Sequence, residues 1–71
     1  MHSRTELDII TLLHDAGGEM YLGDVVNTLR GHHSSKWVYD RVSTMAARGT
    51  VQKVEVEKKI IVRLMEDERN E

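Results

Sequence analysis

Between residues 34 and 48 the chain reads SSKWVYDRVSTMAAR. Ser34, Ser35, Lys36, Trp37, Asp40, Arg41 and Thr44 bring hydroxyl, ammonium, indole, carboxylate and guanidinium groups into one short stretch. These groups bind rather than cleave. Lysine and arginine donate to phosphate and to guanine edges, and aspartate accepts from the cytosine amino group. Arg30 lies just before this stretch, and Lys58 and Lys59 follow it. Other chemistries find little support. His32 and His33 are adjacent, a spacing that rarely converges on one ion, and the chain has no cysteine to complete a zinc site. No spacing of serine, histidine and acid suggests a nucleophile with its base. Gly17-Gly18 reads as a helix stop, not a phosphate cradle. The sequence therefore predicts a binding protein and not an enzyme, with no cofactor, metal or small-molecule ligand.

The elements that must hold these groups follow from periodicity. SRTELDIITLLHDAGG predicts a first helix, with Ser3 and Glu6 placed as a capping box and Ile9, Leu12, Leu13 and Ala16 on one stripe. Leu7, Ile10 and His14 form a second, flanking stripe, more apolar surface than one face needs. Met20 and Tyr21 fit a very short strand. Leu22, Val25, Val26 and Leu29 have the spacing of a short helix over about 22–30, closed by Gly31. Ser34 or Ser35 caps the next helix, which runs to Arg48 and stops at Gly49. A turn of three or four residues then separates two helices, a helix-turn-helix arrangement. Beyond Gly49 the period changes to two. TVQKVEVEKKIIVRLM is rich in valine and isoleucine and predicts two strands reversing at Glu57-Lys58, without the Asn-Gly signature that fixes loop length. The acidic stretch EDERNE, residues 66–71, is expected to fray outside a single domain of residues 1–65.

Bulk properties agree with a small binding domain. At 71 residues the chain has room for one modest core. No apolar run reaches the length of a membrane span, and MHSRTELD lacks the apolar core of a signal peptide, so a cytoplasmic protein is expected. The net charge is −2, but it is unevenly spread. Residues 1–29 hold one basic residue against five acidic, residues 30–63 eight against three, and residues 64–71 one against four. The middle segment thus carries +5 between two acidic flanks. That footprint suits a polyanionic partner better than the total does.

On a helical wheel, Val42, Met45 and Gly49 fall within about 40° of Val38, and all four must face the core. Lys36, Asp40, Ser43 and Ala47 point away. Trp37, Thr44 and Arg48 lie on one flank, Tyr39 and Ala46 on the other. Arg41 starts nearer the core, with a stem long enough to carry its guanidinium outward. The chain here resembles the winged helix-turn-helix family of small DNA-binding regulators, over roughly residues 4–65. The resemblance is carried by Ser34, Ser35, Lys36, Val38, Tyr39, Arg41, Val42, Met45 and Gly49, with Val51 opening the wing. It implies an α+β fold of three helices, a short strand and a C-terminal two-stranded wing. It further implies sequence-specific binding of double-stranded DNA, repressor-like regulation, helix 34–48 in the major groove, and a symmetric homodimer. The chain has no proline and carries Asp40 and Thr44, which separates it from winged helices that bind left-handed DNA through an outward asparagine and tyrosine.

The expected contacts are Arg30, Ser34, Ser35, Lys36, Trp37, Asp40, Arg41, Thr44, Lys58 and Lys59. Leu7, Ile10 and His14 are the expected dimer surface. Trp37 fits either the edge of the core or an exposed contact, and Tyr39 fits half-buried packing. Asp40 fits a cytosine contact or a post that positions Arg41 or Lys36. The lysines at the wing tip suit phosphate or the minor groove. A competing reading makes the domain a protein-interaction module of a larger assembly, with Trp37 anchored in a partner's pocket.

Overall fold

The computed structural model describes residues 4–65. The elements run α1 (Arg4–Asp15), β1 (Glu19–Tyr21), α2 (Leu22–Leu29), α3 (Ser35–Arg48), β2 (Val51–Val56) and β3 (Lys59–Leu64). The architecture is α+β: three helices and a three-stranded antiparallel sheet of order β1-β3-β2, its last two strands forming a C-terminal hairpin. This arrangement is compatible with a winged helix. Ser3 of the expected capping box and the acidic residues 66–71 lie outside the described residues.

The first and third helices end where their sequences stop them. After α1 the N–H of Gly18 donates to the carbonyl of Leu13 at 2.8 Å and that of Gly17 to His14 at 3.2 Å. After α3 the N–H of Thr50 donates to Met45 at 2.9 Å and that of Gly49 to Ala46 at 3.2 Å. Both are the paired closure that satisfies the last carbonyls and needs a left-handed residue; Gly17 (φ 91°) and Gly49 (φ 85°) supply it. The end of α2 differs from expectation. The connection to α3 spans residues 30–34, longer than the sequence suggested, and Gly31 is not left-handed. The N–H groups of His32 and His33 instead both reach the carbonyl of Leu29, at 3.0 and 2.8 Å.

The core takes one face from every helix: Ile9 and Leu13 from α1, Leu22, Val25, Val26 and Leu29 from α2, Val38, Val42 and Met45 from α3. Val51 and Val62 close it from the sheet. Each such side chain contributes about 1.5–3 kcal/mol when taken fully out of water. Two members of the expected α1 stripe sit differently. Leu12 packs only at the margin, and Ala16, past the last turn of α1, is exposed.

The strands alternate as read, but in opposite senses. Val51 pairs with Leu64, Lys53 with Val62 and Glu55 with Ile60, all on the helix side of the sheet. Val54 pairs with Ile61, which in turn pairs with Tyr21 of β1, so these three line the outer face. The hairpin reverses through two residues, Glu57 (φ 49°) and Lys58 (φ 72°), both left-handed. That is the turn type matching the twist of the strands, here built without its usual Asn-Gly.

Candidate nucleic-acid interface

Ser34 opens α3. Its backbone is extended and its Oγ accepts from the N–H of Trp37 at 3.2 Å, with Ser35 the first helical residue. With Val38, Val42 and Met45 pinned to the core, Lys36, Tyr39, Asp40, Ser43 and Ala47 are left exposed. Tyr39 is 48% exposed, more open than the half-buried packing expected of it. The hairpin stands alongside this surface. Lys53 Nζ lies 3.5 Å from Ser43 Oγ. An open cleft of about 370 Å³ is lined jointly by Tyr39 of α3, by Tyr21, Gly23 and Asp24 at the start of α2, and by Lys58 and Lys59. Lys59 Nζ sits 5.0 Å from the centre of the Tyr21 ring, a cation held over an aromatic face. The fold thus brings Lys58 and Lys59, distant in sequence, beside the outward side of α3. Arg30 is exposed in the α2–α3 connection.

Arg41 does not reach the outward face as expected. One guanidinium nitrogen lies 3.3 Å from Glu6 Oε2, and the other lies 3.3 Å from Asp40 Oδ2 and 3.4 Å from Thr44 Oγ1. The guanidinium carbon is 4.9 Å from the Trp37 ring centre. The physical reason is Glu6. Its side chain is 1% exposed, and a carboxylate there is stable only when paired. Arg41 and Arg48 both donate to it, Arg48 at 3.2 Å. Thr44 is turned to the same flank and its hydroxyl donates to the Asp40 carbonyl at 3.1 Å. Of the two roles open to Asp40, the geometry gives the post for Arg41.

Trp37 combines both its expected positions. Its Nε1–H donates to Thr5 Oγ1 at 2.7 Å, which fixes it against α1, yet the side of the ring stays open at 45% exposure. Thr5 Oγ1 also lies 3.3 Å from His33 Nδ1, and His33 Nε2 is 2.8 Å from Asp8 Oδ2. An ionised carboxylate only accepts, so His33 Nε2–H donates to Asp8; in the neutral imidazole Nδ1 is then left to accept from the Thr5 hydroxyl. The bond from Nε2–H holds the Asp8 carboxyl below the usual aspartate range, aided by the positive charge of Arg4. His33 is therefore turned inward, while His32 is exposed.

Thr5, Glu6, Asp8 and His33 were not singled out as site-forming residues. One signal was present: Trp37, Arg41, Thr44 and Arg48 recur at helical spacing along one flank, and two arginines in line need an acid opposite them. Of the stripe expected for dimerisation, Leu7 is 49% exposed and His14 is open beside Asp15, whereas Ile10 packs partly against the core. No family model, curated protein or solved structure matches this chain.

Proposed function

We propose that this protein is a winged helix-turn-helix regulator that binds double-stranded DNA with sequence preference, acting as a repressor by occupying its site. The observation that carries the reading is the exposed side of α3, small or hydrogen-bonding along its length, with Lys58 and Lys59 of the hairpin drawn up beside Tyr39. A helix of this width fits the major groove. Lys36 stands at its N-terminal end as the base-reading cation. Ser34, Ser35 and Arg30 meet phosphates at the start of the helix, and the wing lysines meet the backbone on the other side. Arg41, held by Glu6 and Asp40, lies over the Trp37 ring rather than reading bases. No helix among the described residues is long and apolar enough to cross a membrane.

The test is a fluorescence-anisotropy titration of duplexes selected from a random pool, against unselected duplex, over a range of salt. Affinity should fall with a log–log slope of about −0.9 per neutralised phosphate, and selected duplex should bind better than random. Absence of binding at low ionic strength overturns the reading. It would leave the protein-interaction module, favoured by the half-open ring of Trp37, as the better account.

A further inference from the structure

The sheet order leaves β2 at an edge. Which of its backbone groups are free follows from the register. The pair flanking a two-residue loop, Val56 and Lys59, exchanges hydrogen bonds, and bonded pairs then alternate along the ladder. Val54 and Gln52 therefore point their amides at β3, as does Thr50, whose carbonyl accepts from Met65 at 3.0 Å. Val51, Lys53 and Glu55 turn theirs outward, to the open side. An open groove of about 410 Å³, lined by Ala46, Gly49, Val51, Gln52, Lys53 and Met65, runs along this edge.

A lysine on an edge strand ordinarily discourages pairing. Here Glu55 follows Lys53 in phase, on the same face and with the same outward amides. The strand is consequently complementary to itself. We propose that a second copy of this chain adds antiparallel to the β2 edge, joining two three-stranded sheets into one of six strands. Three registers about a twofold axis present outward amides to each other and set charged residues opposite one another; a fourth, centred on Gln52, sets Lys53 opposite Val51 and leaves the charges unmatched. One sets Lys53 against Lys53 of the other copy, and one sets Glu55 against Glu55; both juxtapose like charges, which is destabilising. The third sets Lys53 of each copy opposite Glu55 of the other, giving two opposite-charge pairs.

That register also sets Val54 against Val54 at the non-bonded position on the twofold, where side chains come closest. On the outer face Val54 already lies in a row with Ile61 and Tyr21, and Tyr21 is 43% exposed. Pairing would run this apolar row unbroken across both copies. Charge and apolar complementarity thus select the same register. The proposal does not require DNA, so it stands or falls apart from the reading above.

Sedimentation equilibrium of the full chain without DNA tests it, with circular dichroism to confirm folding of each variant. The wild type should dimerise. Lys53→Glu and Glu55→Lys each place two like-charge pairs across the axis and should raise the dimer dissociation constant about tenfold or more. An equimolar mixture of the two variants should associate again, because the heterodimer has two opposite-charge pairs, and the double variant K53E/E55K should recover the wild-type constant. A monomeric wild type, or a dimer insensitive to both reversals, overturns the proposal. So does a mixture that fails to associate when each variant alone has dissociated.

Discussion

Two charged regions share α3 and behave in opposite ways. On the flank facing α1, Arg41 and Arg48 converge on the buried Glu6, and Trp37 is hydrogen-bonded to Thr5. On the outward side, Lys36 and Lys58 make no hydrogen bond or ion pair among the described residues, and Lys59 meets only the face of Tyr21. The flank cations are arginines and the outward ones lysines, but what decides whether each is paired is what lies opposite it. The +5 of the central segment accordingly overstates the charge available to a partner, since two of its arginines hold the helices together. The flank should govern stability and the outward side should govern binding.

The sharpest way to break this division is at Glu6. Glu6→Ala should cost about 2–3 kcal/mol of folding stability, because it leaves the largely buried Arg41 without its counter-ion and opens a gap where the buried carboxylate stood. Urea or thermal unfolding reads this directly, and a loss below about 1 kcal/mol would show that the flank is not held by its ion pairs. Next come Arg41 and Lys36, compared in the same assays. Arg41→Ala should lose about 1–3 kcal/mol of stability with its charged hydrogen bonds. Lys36→Ala should stay within about 0.5 kcal/mol of the wild type in stability. In DNA titrations Lys36→Ala should flatten the preference for selected over random duplex. Equal behaviour of the two variants in both measurements would erase the distinction between the regions.

The hairpin turn sharpens the comparison from the other side. Glu57 and Lys58 hold positive φ without being glycine, a conformation costing roughly 1 kcal/mol or more per residue. Lys58→Gly should therefore raise the unfolding free energy by about 0.5–1 kcal/mol, while lowering the salt slope of DNA binding by about one. A variant that is more stable and binds more weakly is the signature expected if the lysine is kept there for contact.

The smallest effect belongs to Asp8. Its folded pKa is depressed, chiefly by the hydrogen bond from His33. Its contribution to stability is therefore complete above the ordinary aspartate range, near pH 4, and is lost as the pH falls through the depressed value. Asp8→Asn should melt lower than the wild type at neutral pH, with the two melting temperatures converging in strong acid. A gap that stays constant with pH would mean that the bond contributes nothing through ionisation.

How far the sequence could be read depends on the range of the interaction. Helix limits are local: Ser34 caps within three residues, and Gly17 and Gly49 stop helices through their own backbone freedom, so both ends of α3 could be placed without the fold. The buried side of α3 follows from a single period, and Val38, Val42 and Met45 are where that period puts them. Other features are not local. Arg41 had two ways to point, and only the arrival of Glu6 from α1, 35 residues away, decides between them. Glu6 read as half of a cap because its neighbours in sequence were the only partners visible. His33 read only as half of an adjacent pair unsuited to a metal, and the α2–α3 connection is what lays it against Asp8 and Thr5. The pairing of β1 with β3 likewise brings Tyr21 to the hairpin, and no short-range pattern encodes it. The sequence by itself thus determined the elements, the glycine stops of α1 and α3 and the core face of α3, because those rest on backbone stereochemistry and the exclusion of water from periodic side chains. The tertiary structure alone decided which charges are paired and which remain open, because a charge's partner is set by distance in space and by the cost of leaving a buried one unmatched.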